Sequence, residues 1–230
     1  MSSDDVPYPD LAAVIPAFNA GSHLAAVLDR VAAYVPRDRI VVVDDGSADD
    51  TRRVADAAGV VVVAHPHNQG KGAAIRSGLA RAQELGVSYA VLLDADGQHN
   101  PDEIPAFVAC ARQTGADLVV GNRLGAASGM PWLRKATNHV TSAIISLLAG
   151  RRVPDSQNGY RLVRLAHFRK FPLTTSRYEI ESEMIIRAGR ERGKIASVPV
   201  ETIYAGEASF INPFVDTFRF LRMVGKSIFW

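Results

Sequence analysis

Apolar residues fall along this chain in short runs, each closed by a polar or glycine-containing loop, and between the runs they recur at helical spacing. Leu11 to Ile15 is one such run, closed by Pro16, and Ile40 to Val43 is a β-branched second, ending in Asp44-Asp45-Gly46-Ser47. Continuous apolar runs this short predict strands buried on both faces, with loops at their C-terminal ends. Between them Leu24, Val27, Leu28 and Val31 repeat at helical spacing, and Asp49 to Ala58 predicts a helix entered through Ser47 and Asp50. The alternation continues with strands over Val60 to Ala64, Tyr89 to Leu93 and Leu118 to Val120, and helices over Gly72 to Glu84 and Pro101 to Gln113. Strands alternating with helices predict an α/β fold, an open parallel sheet flanked by helices. In such sheets ligands sit outside the carboxyl ends of the strands.

After Arg123 the pattern changes. Gly125 to Gly129 is a small-residue loop, and Asp155 to Arg161 is a polar loop rich in functional side chains. Between them Asn138 to Ala149 predicts an amphipathic helix stopped by Gly150, its Val140, Ile144, Leu147 and Leu148 on one side, expected to pack on the core, the other reading being that it lies beside the C-terminal amphipathic helix. From Phe210 to Trp230 lie five of the nine phenylalanines and one of the two tryptophans. There Phe214, Phe218, Leu221 and Ile228 share one helical face, with Arg219, Arg222 and Lys226 beside it. A basic amphipathic helix with aromatic residues predicts a segment lying in a membrane surface; the competing reading packs it on the domain or on a second copy of the chain, as in a homo-oligomer. The chain thus divides into a tail (1–9), a catalytic domain (10–210) and a C-terminal amphipathic helix (211–230).

Composition narrows this picture. With 230 residues, 47% of them hydrophobic and 22% charged, the chain suits one sizeable folded domain and is far from disordered composition. The lone Cys110 cannot close an intramolecular disulfide and no Cys/His cluster has zinc spacing, which predicts a reducing compartment. Met1 to Asp10 has neither the cationic nor the apolar part of a secretory signal, and no window approaches the roughly 18 consecutive apolar residues of a membrane span. A cytosolic protein that meets a membrane only at its surface is expected. Residues 1–115 hold 9 Lys/Arg against 15 Asp/Glu, and residues 116–230 hold 17 against 9. The acidic half suits a cation and the basic half suits phosphates or an anionic bilayer; no nucleic-acid partner is expected.

The candidate chemistry lies at the predicted strand ends. Asp94-Ala95-Asp96-Gly97-Gln98-His99 follows an apolar strand with two carboxylates two residues apart. Mg2+ or Mn2+ takes one or two protein carboxylates and fills its other positions with phosphate oxygens and water, so Asp94, Asp96 and the Gln98 amide oxygen form a candidate site for a metal diphosphate. An acidic turn that merely caps the next helix is the plain alternative. Asp45 is placed to accept hydrogen bonds from a base or ribose, and Pro16, Ala17, Phe18 and Asn19 to wall the base, with ordinary turn or N-cap duty the alternative for each. Asn68-Gln69-Gly70-Lys71-Gly72 opens a helix, where free amides and Lys71 would meet an anion. This segment is neither a Walker A loop nor Gly-x-Gly-x-x-Gly, because Ile75 replaces the third glycine, which argues against a P-loop ATPase and a dinucleotide-binding dehydrogenase.

In order, Val14 to Asn19, Val42 to Ser47, Asn68 to Gly78, Leu92 to His99, Gly121-Asn122-Arg123 and Asp155 to Arg161 resemble the motifs of family 2 of the glycosyltransferases, over about residues 10–210. Within that family, the acidic motif, Trp132-Leu133-Arg134, Asn138 and Asp155-Ser156-Gln157-Asn158-Gly159-Tyr160-Arg161 are most similar to the dolichol-phosphate mannose or glucose synthases and their bacterial polyprenyl-phosphate relatives. The resemblance implies the GT-A fold, a Rossmann-like, mostly parallel open sheet. It implies Asp94, Asp96 and Gln98 around Mg2+ or Mn2+, with Pro16, Phe18, Val43 and Asp45 lining the nucleotide site and Arg123 and Arg134 on phosphate oxygens. The implied donor is a nucleotide-sugar, GDP-mannose or UDP-glucose, and the implied acceptor a polyprenyl phosphate. Those synthases often carry an Arg upstream of a Gly-x-Ser-Lys segment near the C-terminus, where this chain reads Tyr204-Ala205-Gly206-Glu207-Ala208-Ser209-Phe210. A hydroxyl acceptor, as in transfer to a soluble glycan or metabolite, needs a general base, whereas a phosphate monoester is already ionised near neutral pH. Asp155 is the candidate base or acceptor-positioning group, the plain alternative being that it caps the loop after Gly150.

Overall fold

The structure, a computed structural model, describes residues 7–124, 132–201, 203, 213–227 and 230, with helical residues 132–134 and 213–217 described in backbone only. Its strands are β1 (Leu11–Ala17), β2 (Ile40–Asp44), β3 (Val61–Ala64), β4 (Tyr89–Leu92), β5 (Leu118–Asn122), β6 (Arg161–Arg164) and β7 (Ile195–Pro199). Its helices are α1 (Gly21–Val31), α2 (Thr51–Ala57), α3 (Lys71–Glu84), α4 (Ile104–Thr114), α5 (Trp132–Ala149), α6 (Leu165–Phe168), α7 (Ile180–Arg190) and α8 (Pro213–Ser227). The strands form one sheet in the order β3-β2-β1-β4-β6-β5-β7, parallel except for β6, which runs antiparallel to both β4 and β5.

The five strands expected from apolar runs are present; β6 and β7 are additional. Neither reads as an apolar run: β6 is Arg161-Leu162-Val163-Arg164, with its two apolar residues between arginines, and the solvent-side positions of β7 break up its pattern. Strand side chains alternate between faces, so β1 sends Leu11, Ala13, Ile15 and Ala17 to one core and Ala12 and Val14 to the other. The first core is closed by Leu24, Val27, Leu28 and Val31 of α1 and Ile104 and Phe107 of α4. The second is closed by Ile75 and Leu79 of α3, Ile145 of α5, Met184 of α7 and Met223 of α8. The result is three layers, helix on sheet on helix. Full burial of each such Leu, Ile or Phe contributes about 1.5–3 kcal/mol. Gly78 lets α3 lie close on the sheet, since a Cβ there would collide with Val14 Cγ1.

Strand order reverses between β1 and β4: β2 and β3 continue one way, and β6, β5 and β7 the other. That reversal opens a crevice beyond the C-terminal ends of β1 and β4, the general place for a ligand in an open α/β sheet.

Helix α5 is reversed relative to expectation. Asn138, Ser142, Ile145 and Ala149 are buried, whereas Val140, Ile144 and Leu147 are 62%, 37% and 83% exposed. The polar groups face inward because the 153–156 loop offers them partners: Asn138 Nδ2 donates to Asp155 Oδ1 (2.9 Å), Ser142 Oγ bonds Ser156 Oγ (3.1 Å) and accepts from Ser156 N (2.9 Å), and Ser146 Oγ accepts from Val153 N (2.9 Å). The expectation of core packing for Val140, Ile144 and Leu147 is therefore overturned. On α8, Phe218 and Leu221 are also outward, at 68% and 59%, while Met223 is buried. Arg190 of α7 fastens the ends of both helices, donating to Leu148 O (3.2 Å) and to Ser227 O. Among the described residues no helix is long and apolar enough to cross a membrane.

Candidate active site

The acidic turn leaves β4 at the reversal of strand order. Burial alone would raise the Asp94 carboxyl, but the Lys71 ammonium, 2.7 Å from Oδ1 and 3.0 Å from Oδ2, overrides this and holds it below the ordinary carboxylate range. Lys71 also donates to Glu181 Oε1 at 2.8 Å. Burial disfavours the Lys71 charge, yet these two carboxylates raise it well above its ordinary value. Asp96, two residues on, accepts the Gln98 amide at 2.9 Å, and its carboxyl is raised, first by burial and then by the charge of Asp94. A carboxylate pushed up by a like charge is a place where added positive charge is welcome.

Among the described residues no cluster of three or more His, Cys, Asp or Glu stands ready to hold a metal. Two carboxylates and the Gln98 amide nonetheless fit a hard divalent cation that draws its remaining oxygens from a diphosphate and water. His99 fixes the turn from behind: its Nδ1 accepts from Asp94 N (3.0 Å) and its ring stacks on Tyr160 at 5.0 Å. Burial lowers the His99 pKa, so the ring is neutral and carries its proton on Nε2.

Arg123 and Asp155, expected to contact phosphate and acceptor, are joined to each other. Arg123 Nε donates to Asp155 Oδ2 at 2.8 Å and Nη2 to Oδ1 at 3.0 Å. Asp155 is 1% exposed and takes a further bond from Asn138, and its pKa, which burial would raise, is pulled below normal by the guanidinium. Three side-chain hydrogen bonds, two from Arg123 and one from Asn138, thus hold the carboxylate that was the candidate base. Arg161 lies fully buried behind the same loop and donates to Asn158 O (2.8 Å), Ser156 O (2.8 Å) and Glu181 O. It ties residues 156–158 to α7. Burial lowers its pKa, an arrangement tolerated because Glu181 and Asp155 are close.

The segment leading into α3, expected to meet an external anion, binds an internal carboxylate. Asp45 accepts Gln69 N on Oδ1 (2.9 Å) and Gly70 N on Oδ2 (2.7 Å), while Gly72 N and Ala73 N donate to Ser176 O at 2.9 and 3.2 Å. His65 Nδ1 also bonds Asp45 Oδ1 at 2.7 Å, and its Nε2 bonds Ser77 Oγ at 2.9 Å. Asp45 thus holds the 65–70 loop and is 3% exposed. Lys71 likewise faces carboxylates and not an outside anion. Val43 is fully buried toward Gly78, and Ala95 is 5% exposed within the first core, so neither side chain lines a nucleotide pocket.

Phe18 is 42% exposed at the end of β1, beside half-buried Pro16. Asn19 adopts a left-handed φ of 50°, which asparagine tolerates, and its Oδ1 accepts Ala48 N (2.9 Å), linking the loops after β1 and β2. These remain at the crevice. Gln98, His99, Arg123, Asn158, Val200 and Glu201 line a cavity of about 20 Å3 at the other side of the acidic turn. A wider opening of about 650 Å3 beyond β2 and β3 is walled by Asp44, Ser47, Asp49, Arg52 and His65, but by neither Asp94 nor Asp96. Charge and strand topology, not the size of an opening, therefore locate the site. Arg134 falls in the first turn of α5, with its side chain outside the described residues, as are 125–131, 204–212, the Phe214 side chain and Ile228.

Residues 12–174 match the sequence profile of Glycosyl transferase family 2. The chain is 33% identical over 213 residues to UDP-N-acetylglucosamine–dolichyl-phosphate N-acetylglucosaminyltransferase of Methanococcus voltae, covering 83% of this chain and 84% of that one. It is 30% identical over 198 residues to undecaprenyl-phosphate mannosyltransferase of Micrococcus luteus, covering 81% of each. Among solved structures, glucosyl-3-phosphoglycerate synthase of Mycobacterium tuberculosis, crystallised with Mn2+, uridine diphosphate and glucosyl-3-phosphoglycerate, superposes with a TM-score of 0.70 at 22% identity, over 95% of this chain and 78% of that one. The fold is that of a GT-A glycosyltransferase. The chain belongs to glycosyltransferase family 2.

Proposed function

We propose that this protein is an inverting transferase that moves a hexose, mannose or glucose, from a nucleotide-sugar to a polyprenyl phosphate. The observation that carries the acceptor assignment is the commitment of Asp155 to Arg123. With that carboxylate engaged, a hydroxyl acceptor lacks the base expected for it, whereas a phosphate monoester arrives ionised. The named activities of the Methanococcus and Micrococcus relatives, both on polyprenyl-type phosphates, support the same acceptor.

In this reading a phosphate oxygen of the acceptor forms a bond to the anomeric carbon as the bond from that carbon to the nucleoside diphosphate breaks on the opposite face. Negative charge grows on the departing diphosphate. Asp94, Asp96 and Gln98 would hold Mg2+ or Mn2+, which when bound supplies charge stabilisation to the diphosphate. Arg123, aligned by Asp155, presents its guanidinium edge to a phosphate oxygen, and Arg134 is proposed to do the same. Phe18, Pro16 and Asn19 are proposed to meet the base.

The protein is proposed to sit on the cytosolic face of a membrane. The exposed Val140, Ile144 and Leu147 of α5 and Phe218 and Leu221 of α8 support this, with exposed Arg151, Arg152, Arg222 and Lys226 suited to anionic lipid. In this reading the GT-A domain (10–210) carries the chemistry and the 211–230 segment contributes to anchoring.

The test is transfer from GDP-mannose, UDP-glucose and UDP-N-acetylglucosamine to a polyprenyl phosphate, against soluble hydroxyl acceptors, each with Mn2+ and with EDTA. Metal-dependent product on the lipid alone is expected. Product only on a hydroxyl acceptor would move the assignment to a soluble-acceptor enzyme.

A further inference from the structure

Glu181 matches none of the motifs that mark the site, yet it is bound into it. Its Oε1 receives Lys71 Nζ at 2.8 Å, and the same nitrogen stands 2.7 Å from Asp94 Oδ1. Gly159 closes the group: a Cβ there would lie 3.0 Å from Glu181 Oε1, 3.0 Å from Lys71 Nζ and 3.3 Å from Asp94 Oδ2. The three charges therefore meet beside one residue where even a methyl group would be a tight fit. Lys71 and Glu181 have side chains only 17% and 11% exposed, so water does little to loosen their contact.

A divalent cation approaching Asp94 meets a carboxylate already holding an ammonium. Two cations compete for the same two oxygens and repel each other. Lys71 does not have to leave, however, because it already touches a second full carboxylate. If the bond to Asp94 weakens, the bond to Glu181 keeps the buried ammonium paired, and the large cost of an unpaired buried charge is avoided.

We propose that Glu181 is a positioning residue that retains Lys71 when Asp94 passes from the lysine to a divalent cation. Lys71 is then a tethered cation shared between two carboxylates, and Glu181 is its permanent counter-ion. The inference rests on the metal-diphosphate reading of the Asp94–Asp96 turn.

Mn2+ binding, followed by the electron paramagnetic resonance signal of free Mn2+ in the presence of UDP or GDP, tests this without any transfer assay. Glu181→Gln is expected to weaken Mn2+ binding at least about tenfold, because Lys71 then leans wholly on Asp94. Glu181→Asp keeps the charge but is too short to hold Lys71, and is expected to weaken binding similarly. Lys71→Met with Glu181→Gln removes both competitor and tether, and is expected to restore binding to the wild-type level or better. Unchanged binding in Glu181→Gln overturns the proposal. So does wild-type binding in Glu181→Asp, which would assign the effect to charge alone, or a double variant as weak as Glu181→Gln. Thermal melts report folding, and if the double variant does not fold, the two single variants decide. A wild-type protein that binds no Mn2+ with either nucleotide refutes the metal reading itself, an outcome distinct from a failed Glu181 effect.

Discussion

Arg123 meets Asp155 fork to fork, with Nε 2.8 Å from one carboxylate oxygen and Nη2 3.0 Å from the other. The pair couples an arginine that is 21% exposed to an aspartate that is wholly buried. Arg123→Ala would strand that carboxylate with Asn138 as its remaining side-chain donor. We expect a loss of about 3 kcal/mol in urea unfolding, at the low end for a broken buried pair because the arginine is partly solvated. Transfer should slow at least about tenfold, equivalent to about 1.4 kcal/mol of transition-state stabilisation. Arg123→Lys should recover only part of either, lacking the two-pronged geometry. An alanine variant that unfolds with wild-type stability would contradict the buried-pair account.

The same pair sets an acid limit on stability. Asp155 has a depressed pKa in the folded protein, so its contribution is complete above the ordinary carboxylate pKa and is lost as pH falls through the lowered folded value. Glu183, whose carboxylate accepts Thr174 and Thr175 amides and hydroxyls, acts with the same sign. Denaturation series between about pH 7 and pH 3 should show stability falling on acidification, less steeply in Asp155→Asn. A basic role for Asp155 would instead remove the acidic limb of the pH–rate profile in that variant, and we expect the limb to persist.

Asp96→Ala separates binding from folding. Its carboxylate receives one backbone amide and lies beside another negative charge, so its removal should change stability by less than about 1 kcal/mol. Metal-dependent nucleotide binding should disappear, as read by thermal shift with and without Mn2+. Near wild-type turnover in the presence of EDTA would defeat the assignment.

The outward row of α5 gives a test of membrane contact that leaves the core alone. Replacing Val140, Ile144 and Leu147 together by serine should leave the melting temperature within a few degrees and weaken sedimentation with anionic liposomes. Serine at Phe218 and Leu221 should act alike. Deleting the whole of α8 is a blunter experiment, because Met223 is buried and Trp230 lies 4.2 Å from Arg187 in a cation–π contact, so stability should fall too. Liposome binding that survives both sets of serine changes would place the membrane contact elsewhere.

Much of the sheet was legible because strands buried on both faces are written as unbroken apolar runs, as in Ile40 to Val43. Strand β6 was not, since two arginines frame its apolar pair and its partners lie more than forty residues upstream at β5 and about seventy at β4. The inward side of α5 was misread for a related reason. A helical wheel marks the apolar face but not the layer it meets, and here Asp155 and Ser156 supply polar partners for Asn138 and Ser142. At the site, Asp94, Asp96 and Arg123 announce themselves by residue type and strand-end position. Asp45 does so as well, but its duty to the Gln69 and Gly70 amides just ahead of α3 depends on a loop 24 residues away. Glu181 gave no signal at all: its bond to Lys71 spans 110 residues, and an acidic residue in a first helical turn is ordinary.

Gly159 carries a consequence for how this sequence can vary. Its α-carbon is wedged among the side-chain ends of residues 71, 94 and 181, contributed by three segments far apart in the chain. A side chain at 159 would press on those charged groups, and because Lys71 bonds both carboxylates, moving one disturbs the others. A chimera whose 155–161 loop brings a larger residue to position 159 should therefore perturb the contact of Lys71 with its two carboxylates, although the loop itself carries none of the three charges.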